Sequence, residues 1–204
     1  MGWYEDRVFP HLLDWATRPL NRQRRELLAS AHGTVLELGV GTGANFPFYS
    51  EQAEAIHGIE PCGALLEHAR ESAYDSPNPA RFDLRQAGAE ALPYDDDTFD
   101  CVVACLVFCT IPEPDMAARE VHRVLKPGGE LLVLEHVQHE RPWPERLQRW
   151  LEPAWKPLAC GCHLHRDTGA LFRQAGFDTS GLETWQHPDL PAFAGFLLSG
   201  RALA

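Results

Sequence analysis

Two hydrophobic patterns alternate along the chain. Short apolar runs ending in glycine, acid or cysteine predict strands: TVLELGV (34–40), AIHGIE (55–60), FDLRQAG (82–88), FDCVVACLVFC (99–109) and ELLVLEHV (130–137). The fourth is rich in Val and Leu with little alternation, as in a strand covered on both faces. Helical periods lie between them. ALLEHARESAY (64–74) is stopped by the Ser-Pro-Asn-Pro run at 76–79, and EPDMAAREVHRVL (113–125) by Lys126-Pro127-Gly128-Gly129. Residues 4–31 predict helix with breaks near Pro10 and Pro19; there Leu20, Leu27 and Leu28 oppose Arg22, Arg24, Arg25 and Glu26, and Gly33 ends the segment. After a stretch rich in proline and tryptophan, DTGALFRQAGF (167–177) predicts a helix, and 179–186 and 193–201 two short strands.

Strand and helix alternating at this spacing imply an α/β fold, a parallel sheet with helices on both faces. In such sheets ligands bind beyond the carboxyl ends of the strands. The 204 residues, 45% hydrophobic, suffice for one domain with a full core. A net charge of −11 argues against a nucleic-acid partner, whose phosphates demand Lys and Arg, and mildly against anionic lipid. No apolar window is long enough for a transmembrane helix, and the N-terminus lacks the basic and apolar regions of a signal peptide. A cytoplasmic location is expected, with the six cysteines as free thiols. Cys101, Cys105 and Cys109 fall in or just beyond an apolar run and read as small hydrophobes. Cys160-x-Cys162-His163-x-His165 is the one metal-like run, but its spacing is not that of zinc sites and no second ligand pair follows, so no metal is expected.

The candidate chemistry starts at VLELGVGTGANF (35–46). Gly39, Gly41 and Gly43 remove side chains where backbone approaches a ligand. The run satisfies the dinucleotide fingerprint G-x-G-x-x-A, and also Glu37-x-Gly39-x-Gly41-x-Gly43, a different nucleotide loop. Glu37 falls inside a strand expected to be buried, where a carboxylate is costly unless paired. Glu60 ends the second strand, where an acid can accept both hydroxyls of a ribose.

Taken in order, Glu37-Leu38-Gly39-Val40-Gly41-Thr42-Gly43, Glu60, AEALPYDDDTFD (89–100) and REVHRVLKPGG (119–129) resemble the motifs of class I S-adenosylmethionine-dependent methyltransferases. The resemblance covers roughly residues 30–137 and implies a Rossmann-like fold: a seven-stranded, mostly parallel sheet, helices on both faces and an N-terminal helical lid. It implies S-adenosylmethionine as cofactor and S-adenosylhomocysteine as product. By the same resemblance the glycine loop approaches the methionine part and ribose, and Glu37 contacts or orders the site beneath the amino group. Glu60 takes the ribose hydroxyls, and Pro61 and Cys62 flank the adenine. Gly88, Ala89 and Glu90 line the adenine edge, backbone near Cys105 faces the methionine end, and Tyr4 closes over the cofactor. Many relatives carry Gly-Asp-Ala-Glu where this chain has Ala87-Gly88-Ala89-Glu90, so adenine is expected to be held by Glu90 or by backbone.

Further segments, GTGANFPFY (41–49), LVLEHV (132–137) and LEPAWKPLACGCHLHRDT (151–168), resemble the alkyl-thiol S-methyltransferases. That implies methyl transfer to the thiol of a small, largely apolar molecule; the alternative is N- or O-methylation of a lipid or other apolar acceptor. His136 and His163 are the candidate catalytic residues, with His165 beside them, and Trp3, Phe46, Trp143 and Trp155 are candidate walls of an apolar pocket. One domain, 1–204, is expected, with 1–31 as lid and 138–168 as acceptor-site insertion.

Overall fold

A computed structural model describes residues 8–204. Helix α1 (Phe9–Thr17) carries Pro10 in its first turn, so the proline expected to break this segment opens the helix instead, where its missing N–H has no intrahelical partner to lose. A 3-10 turn over Arg18–Leu20 holds Pro19 and leads into α2 (Asn21–Leu28). Buried Arg24 of α2 ties the two helices, donating to Thr17 Oγ1 at 2.9 Å and to Asn21 Oδ1 at 3.2 Å.

The sheet has seven strands in the order β3-β2-β1-β4-β5-β7-β6. β1 (Gly33–Leu38), β2 (Ala53–Ile59), β3 (Phe82–Arg85), β4 (Phe99–Cys105) and β5 (Leu125–His136) are parallel; β6 (Leu182–Gln186) and β7 (Phe196–Leu203) are antiparallel to their neighbours. Helix α3 (Gly63–Tyr74) crosses from β2 to β3, α4 (Pro114–Val124) from β4 to β5, and α6 (Thr168–Ala175) precedes β6. Two apolar clusters form, one on each face. Ala117, Ala118, Val121 and Val124 of α4 join Phe172 of α6 in the first; Leu28 of α2 and Leu66, Ala69 and Ala73 of α3 join the second. The four α4 positions recur at helical spacing, which is why this segment buries one stripe.

The structure departs more widely from the sequence pattern at three further places. β4 ends at Cys105, not 109: Leu106 takes a left-handed φ of 57°, and the next two backbone N–H groups leave the sheet for the Glu135 carboxylate. β5 starts at Leu125, so Lys126–Gly129 lie inside a strand instead of in a turn; the register jumps there, Phe99 facing Leu125 while Cys101 faces Glu130. The proline- and tryptophan-rich stretch contains a 17-residue helix, α5 (Pro142–Leu158). Internal prolines cost about 3 kcal/mol in an isolated helix, so Pro153 and Pro157 count against helix when the sequence is read alone. Tertiary bonds outweigh them. Gln148 is 1% exposed, accepts from His139 N at 2.8 Å and donates to the carbonyls of Val137 and Phe193. Gln148 of α5 therefore faces inward, while Trp143, Trp150 and Leu158 stand exposed.

Among the described residues no helix is long and apolar enough to cross a membrane.

Candidate active site

The carboxyl ends of β1 and β2 form one half of the site. After β1 the chain turns through Gly39, Gly41 and Gly43, all at positive φ. A side chain at Gly39 would strike Val107 Cγ2 at 2.4 Å, whereas one at Gly41 would meet nothing within 4 Å. The loop is thus packed from one side and open on the other. Glu60, one residue past β2, closes it: Oε2 accepts from Gly41 N at 3.1 Å and Oε1 from Cys62 N at 3.0 Å. Burial raises the Glu60 pKa and these two amides partly offset that. A carboxylate anchored by backbone beside an open glycine turn suits a ligand with vicinal hydroxyls, as the nucleoside of S-adenosylmethionine requires.

Glu37 lies beneath this loop at 1% exposure. Asn45 Nδ2 donates to its Oε1 at 2.9 Å and Tyr49 Oη to its Oε2 at 2.7 Å, so the acid orders the turn that follows the glycines. Burial lifts its pKa to about 7 against those bonds. The unfolded chain releases this proton near 4.5, whereas the fold keeps it to about 7. Stability from Glu37 is then fully present below 4.5 and is lost as pH rises through about 7, by at most about 3 kcal/mol. Glu37→Gln removes the titration, and its amide can donate to Asn45 Oδ1, which has no partner among the described residues, once the Asn45 amide turns over. The variant should therefore gain on the wild type between about pH 5 and about pH 7.5 in urea unfolding. A constant difference across that range would show Glu37 charged throughout.

At the adenine end expected from the sequence, a side chain at Gly88 would meet Glu90 Oε2 at 2.7 Å. The Glu90 carboxylate thus folds back over the position where many relatives carry Asp. Gln86 donates to Pro61 O at 3.0 Å and fixes the turn after Glu60. Asp14 of α1 accepts from Thr42 Oγ1 at 2.7 Å, joining the leading helix to the glycine loop. Neither Gln86 nor Asp14 stands out in the sequence, because each acts on a loop far along the chain. Tyr4 and Trp3 lie outside the described residues.

The carboxyl ends of β4 and β5 form the other half. Glu135, fully buried, accepts at Oε1 from Val107 N at 2.8 Å and Phe108 N at 3.0 Å. Arg166 donates to the carbonyls of Phe108 and Ile111. The turn after β4 is thereby gripped from both sides, and it presents Cys109 inward. His136 Nε2 lies 2.9 Å from Cys162 Sγ, and the sulfurs of Cys109 and Cys162 and a His136 ring nitrogen all lie within 4.8 Å of one another. Trp155 Nε1 of α5 donates to Cys162 Sγ at 3.3 Å. Cys109 is pushed well up by its bond to the Cys162 sulfur and by burial; Cys162 is held low by the Cys109 thiol and the His136 imidazole. Cys101 and Cys105, by contrast, are pushed up to about 12 and about 11 by burial, as packed inert thiols are.

The local run at 160–165 does not act as one cluster. Cys162 turns inward, whereas His163 Nδ1 lies 2.7 Å from Glu152 Oε1 and His165 Nδ1 bonds the other oxygen. Burial raises the Glu152 pKa, and the two histidines more than offset it. His136 and His163 are thus not partners: His136 belongs with the cysteines and His163 with Glu152. Cys105, at the end of β4, packs in the core beside the site. Phe46 is buried under the glycine loop against Phe82, Trp143 points to solvent, and among the proposed walls within the described residues Trp155 touches the cysteine cluster.

Comparison with known proteins accords with this geometry. A methyltransferase-domain family model matches residues 36–133. Thiol S-methyltransferase TMT1B of Rattus norvegicus is 35% identical over 195 residues, covering 88% of this chain and 79% of the relative. Phosphatidylethanolamine N-methyltransferase of Cereibacter sphaeroides is 38% identical over 109 residues, 53% of each chain. A solved S-adenosylmethionine-dependent methyltransferase from Aquifex aeolicus shares the fold, with a TM-score of 0.68 at 18% identity over 95% of this chain and 96% of that one. With a glycine loop closed by Glu60, strand order 3-2-1-4-5-7-6 and relatives matched over most of their length, the chain belongs to the class I S-adenosylmethionine-dependent methyltransferases.

Proposed function

We propose that the protein transfers a methyl group from S-adenosylmethionine to the thiol of a small, largely apolar molecule. One observation carries this reading: similarity to a thiol S-methyltransferase runs over 88% of the chain, whereas similarity to a phospholipid N-methyltransferase covers 53%. A match of 109 residues cannot span both the donor half and the whole acceptor half, and the acceptor half is where substrate class is set.

In this reading Gly39, Gly41 and Gly43 take the methionine and ribose part, Glu60 the ribose hydroxyls, and Pro61 and Cys62 flank the adenine. Gly88, Ala89 and Glu90 face its edge, the Glu90 carboxylate replacing the missing Asp. Backbone at Cys105 borders the methionine end, and Glu37 orders the loop from below. The helices of residues 9–28 act as a lid fastened through Asp14 and Thr42, and 138–168 shape the acceptor side. The bound cofactor supplies a methyl group activated by its sulfonium charge. The chain's task is alignment and exclusion of water, which suffices for an acceptor that ionises easily. A thiol, a few per cent thiolate at neutral pH, needs a base least among thiols, amines and phenols. His136 stands on the acceptor side; His163 positions the 160–165 turn through Glu152.

The test is a panel of alkanethiols, amines, phospholipid amines and phenols with labelled S-adenosylmethionine. Small apolar thiols should be turned over fastest. A phospholipid amine or catechol outrunning every thiol would overturn the reading.

A further inference from the structure

The geometry points to a soft-metal site: we propose that Cys109, His136 and Cys162 bind one zinc ion, leaving a fourth position for the acceptor thiol. The second clause rests on the thiol reading above; the first does not.

Three ligating atoms, two sulfurs and an imidazole nitrogen, converge from three separate elements: the turn after β4, the end of β5 and the turn after α5. The side chains' residues are 3%, 9% and 7% exposed. Tetrahedral zinc, with bonds of about 2.3 Å to sulfur and about 2.0 Å to nitrogen, sets its ligand atoms about 3.5–3.8 Å apart. The 2.9 Å contact between His136 and Cys162 need open by only about 0.6 Å, and every pair already lies within 4.8 Å. Charge favours the ion too. A dication with two thiolates and a neutral imidazole is neutral overall, which a buried pocket tolerates far better than a lone thiolate.

The donor set selects the metal. Two thiolates and an imidazole suit zinc and not magnesium or calcium, which take oxygen ligands. Among the described residues no fourth His, Cys, Asp or Glu joins the three. Three protein ligands with an open position are the arrangement of catalytic zinc sites; structural sites are closed by a fourth. A thiol entering that position gives up its proton to solvent and becomes a zinc-bound thiolate. Methyl transfer then breaks the sulfonium carbon–sulfur bond, forms the thioether and releases S-adenosylhomocysteine.

The supporting scaffold matches this role. Glu135 and Arg166 fix the turn that carries Cys109, His163 N donates to Cys109 O at 2.8 Å, and the Trp155 indole holds Cys162. Both cysteines are therefore positioned by neighbours that are not themselves ligands, as precise metal geometry requires, while His136 Nδ1 has no partner among the described residues.

The experiment uses the full chain, reduced, stripped with chelator and titrated with cobalt(II) in the absence of cofactor and acceptor. One equivalent should produce a thiolate-to-cobalt charge-transfer band and the intense visible bands of a four-coordinate site, and zinc should displace it. Cys109→Ser, Cys162→Ser and His136→Ala should each weaken binding more than about 100-fold, beyond the loss typical of outer-shell changes; Cys160→Ser should not. If those variants misfold, thiol counting on the wild type decides instead: zinc should protect two of the six cysteines, and chelator should release them. No stoichiometric binding, or an unprotected thiol pair, overturns the metal site. A short alkanethiol should intensify the charge-transfer band. Metal binding with no response to thiol overturns the fourth-ligand role and leaves the metal site standing. Failure of thiol methylation itself appears separately, in the acceptor panel.

Discussion

Replacing Glu135 by alanine is expected to lower the unfolding free energy by about 2–6 kcal/mol, because two buried backbone donors lose their acceptor and each unsatisfied group costs about 1–3 kcal/mol. The donors are Val107 N and Phe108 N, both on Glu135 Oε1, and neither has a strand neighbour to turn to once β4 has ended at Cys105. Burial pushes the Glu135 pKa up to about 7, and these two amides partly offset it. Glu135→Gln keeps an oxygen for both amides and should recover most of the loss. Urea unfolding of both variants at neutral pH checks this. An alanine variant within 1 kcal/mol of wild type, a threshold below the cost of even one orphaned donor, would mean that the turn finds other partners.

Glu60→Ala is expected to weaken S-adenosylmethionine binding by about 1.5–3 kcal/mol, roughly 10- to 150-fold, the range for hydrogen bonds to a charged group. The loss has two sources: the proposed contact with the ribose hydroxyls, and the grip on Gly41 N and Cys62 N that holds the loop in place. The fold should survive, since Glu60 stands past the end of β2 and its side chain accepts from the loop amides of Gly41 and Cys62 and not from a strand. Glu60→Gln retains acceptors for the amides and should lose less. Calorimetry with the cofactor and with S-adenosylhomocysteine measures both. A folded alanine variant with unchanged affinity for the two would remove Glu60 from the site.

The glycine turn and the acid that closes it were legible in the sequence because these pieces are local. Gly39, Gly41 and Gly43 impose a turn whatever surrounds them, and Glu60 follows its strand directly. REVHRVLKPGG was equally legible as a motif, but its contribution differs from a ligand contact. Glu120 accepts from Leu92 N at 2.8 Å, and Arg123 donates to the carbonyls of Leu92 and Tyr94, so the motif pins the loop after β3 against α4. The cluster at the ends of β4 and β5 was legible only in part, since His136 and Cys162 were each singled out but not their meeting with Cys109. Reading neighbours along the chain singled out Cys160 to His165, whereas the groups that meet are Cys109, His136 and Cys162, from three elements. Helix α5 was not legible for a related reason: Gln148 and Glu152 look like solvent-facing positions until their inward partners exist.

By itself the sequence determined the order of the strands and of the helices other than α5, the glycine turn and the acid that closes it. Those features depend on backbone freedom, hydrophobic period and residues a few positions apart, which act before distant segments meet. Only the tertiary structure decided where β4 stops, that residues 142–158 are helical despite Pro153 and Pro157, and which cysteine faces which histidine. Each of these turns on a buried polar group finding a partner from a remote segment: Glu135 for Val107 and Phe108, Gln148 for Val137 and Phe193, Cys162 for His136. An unpaired polar group is costly only once it is buried, so such partnerships exist as energies in the packed fold and leave no periodic mark on the chain.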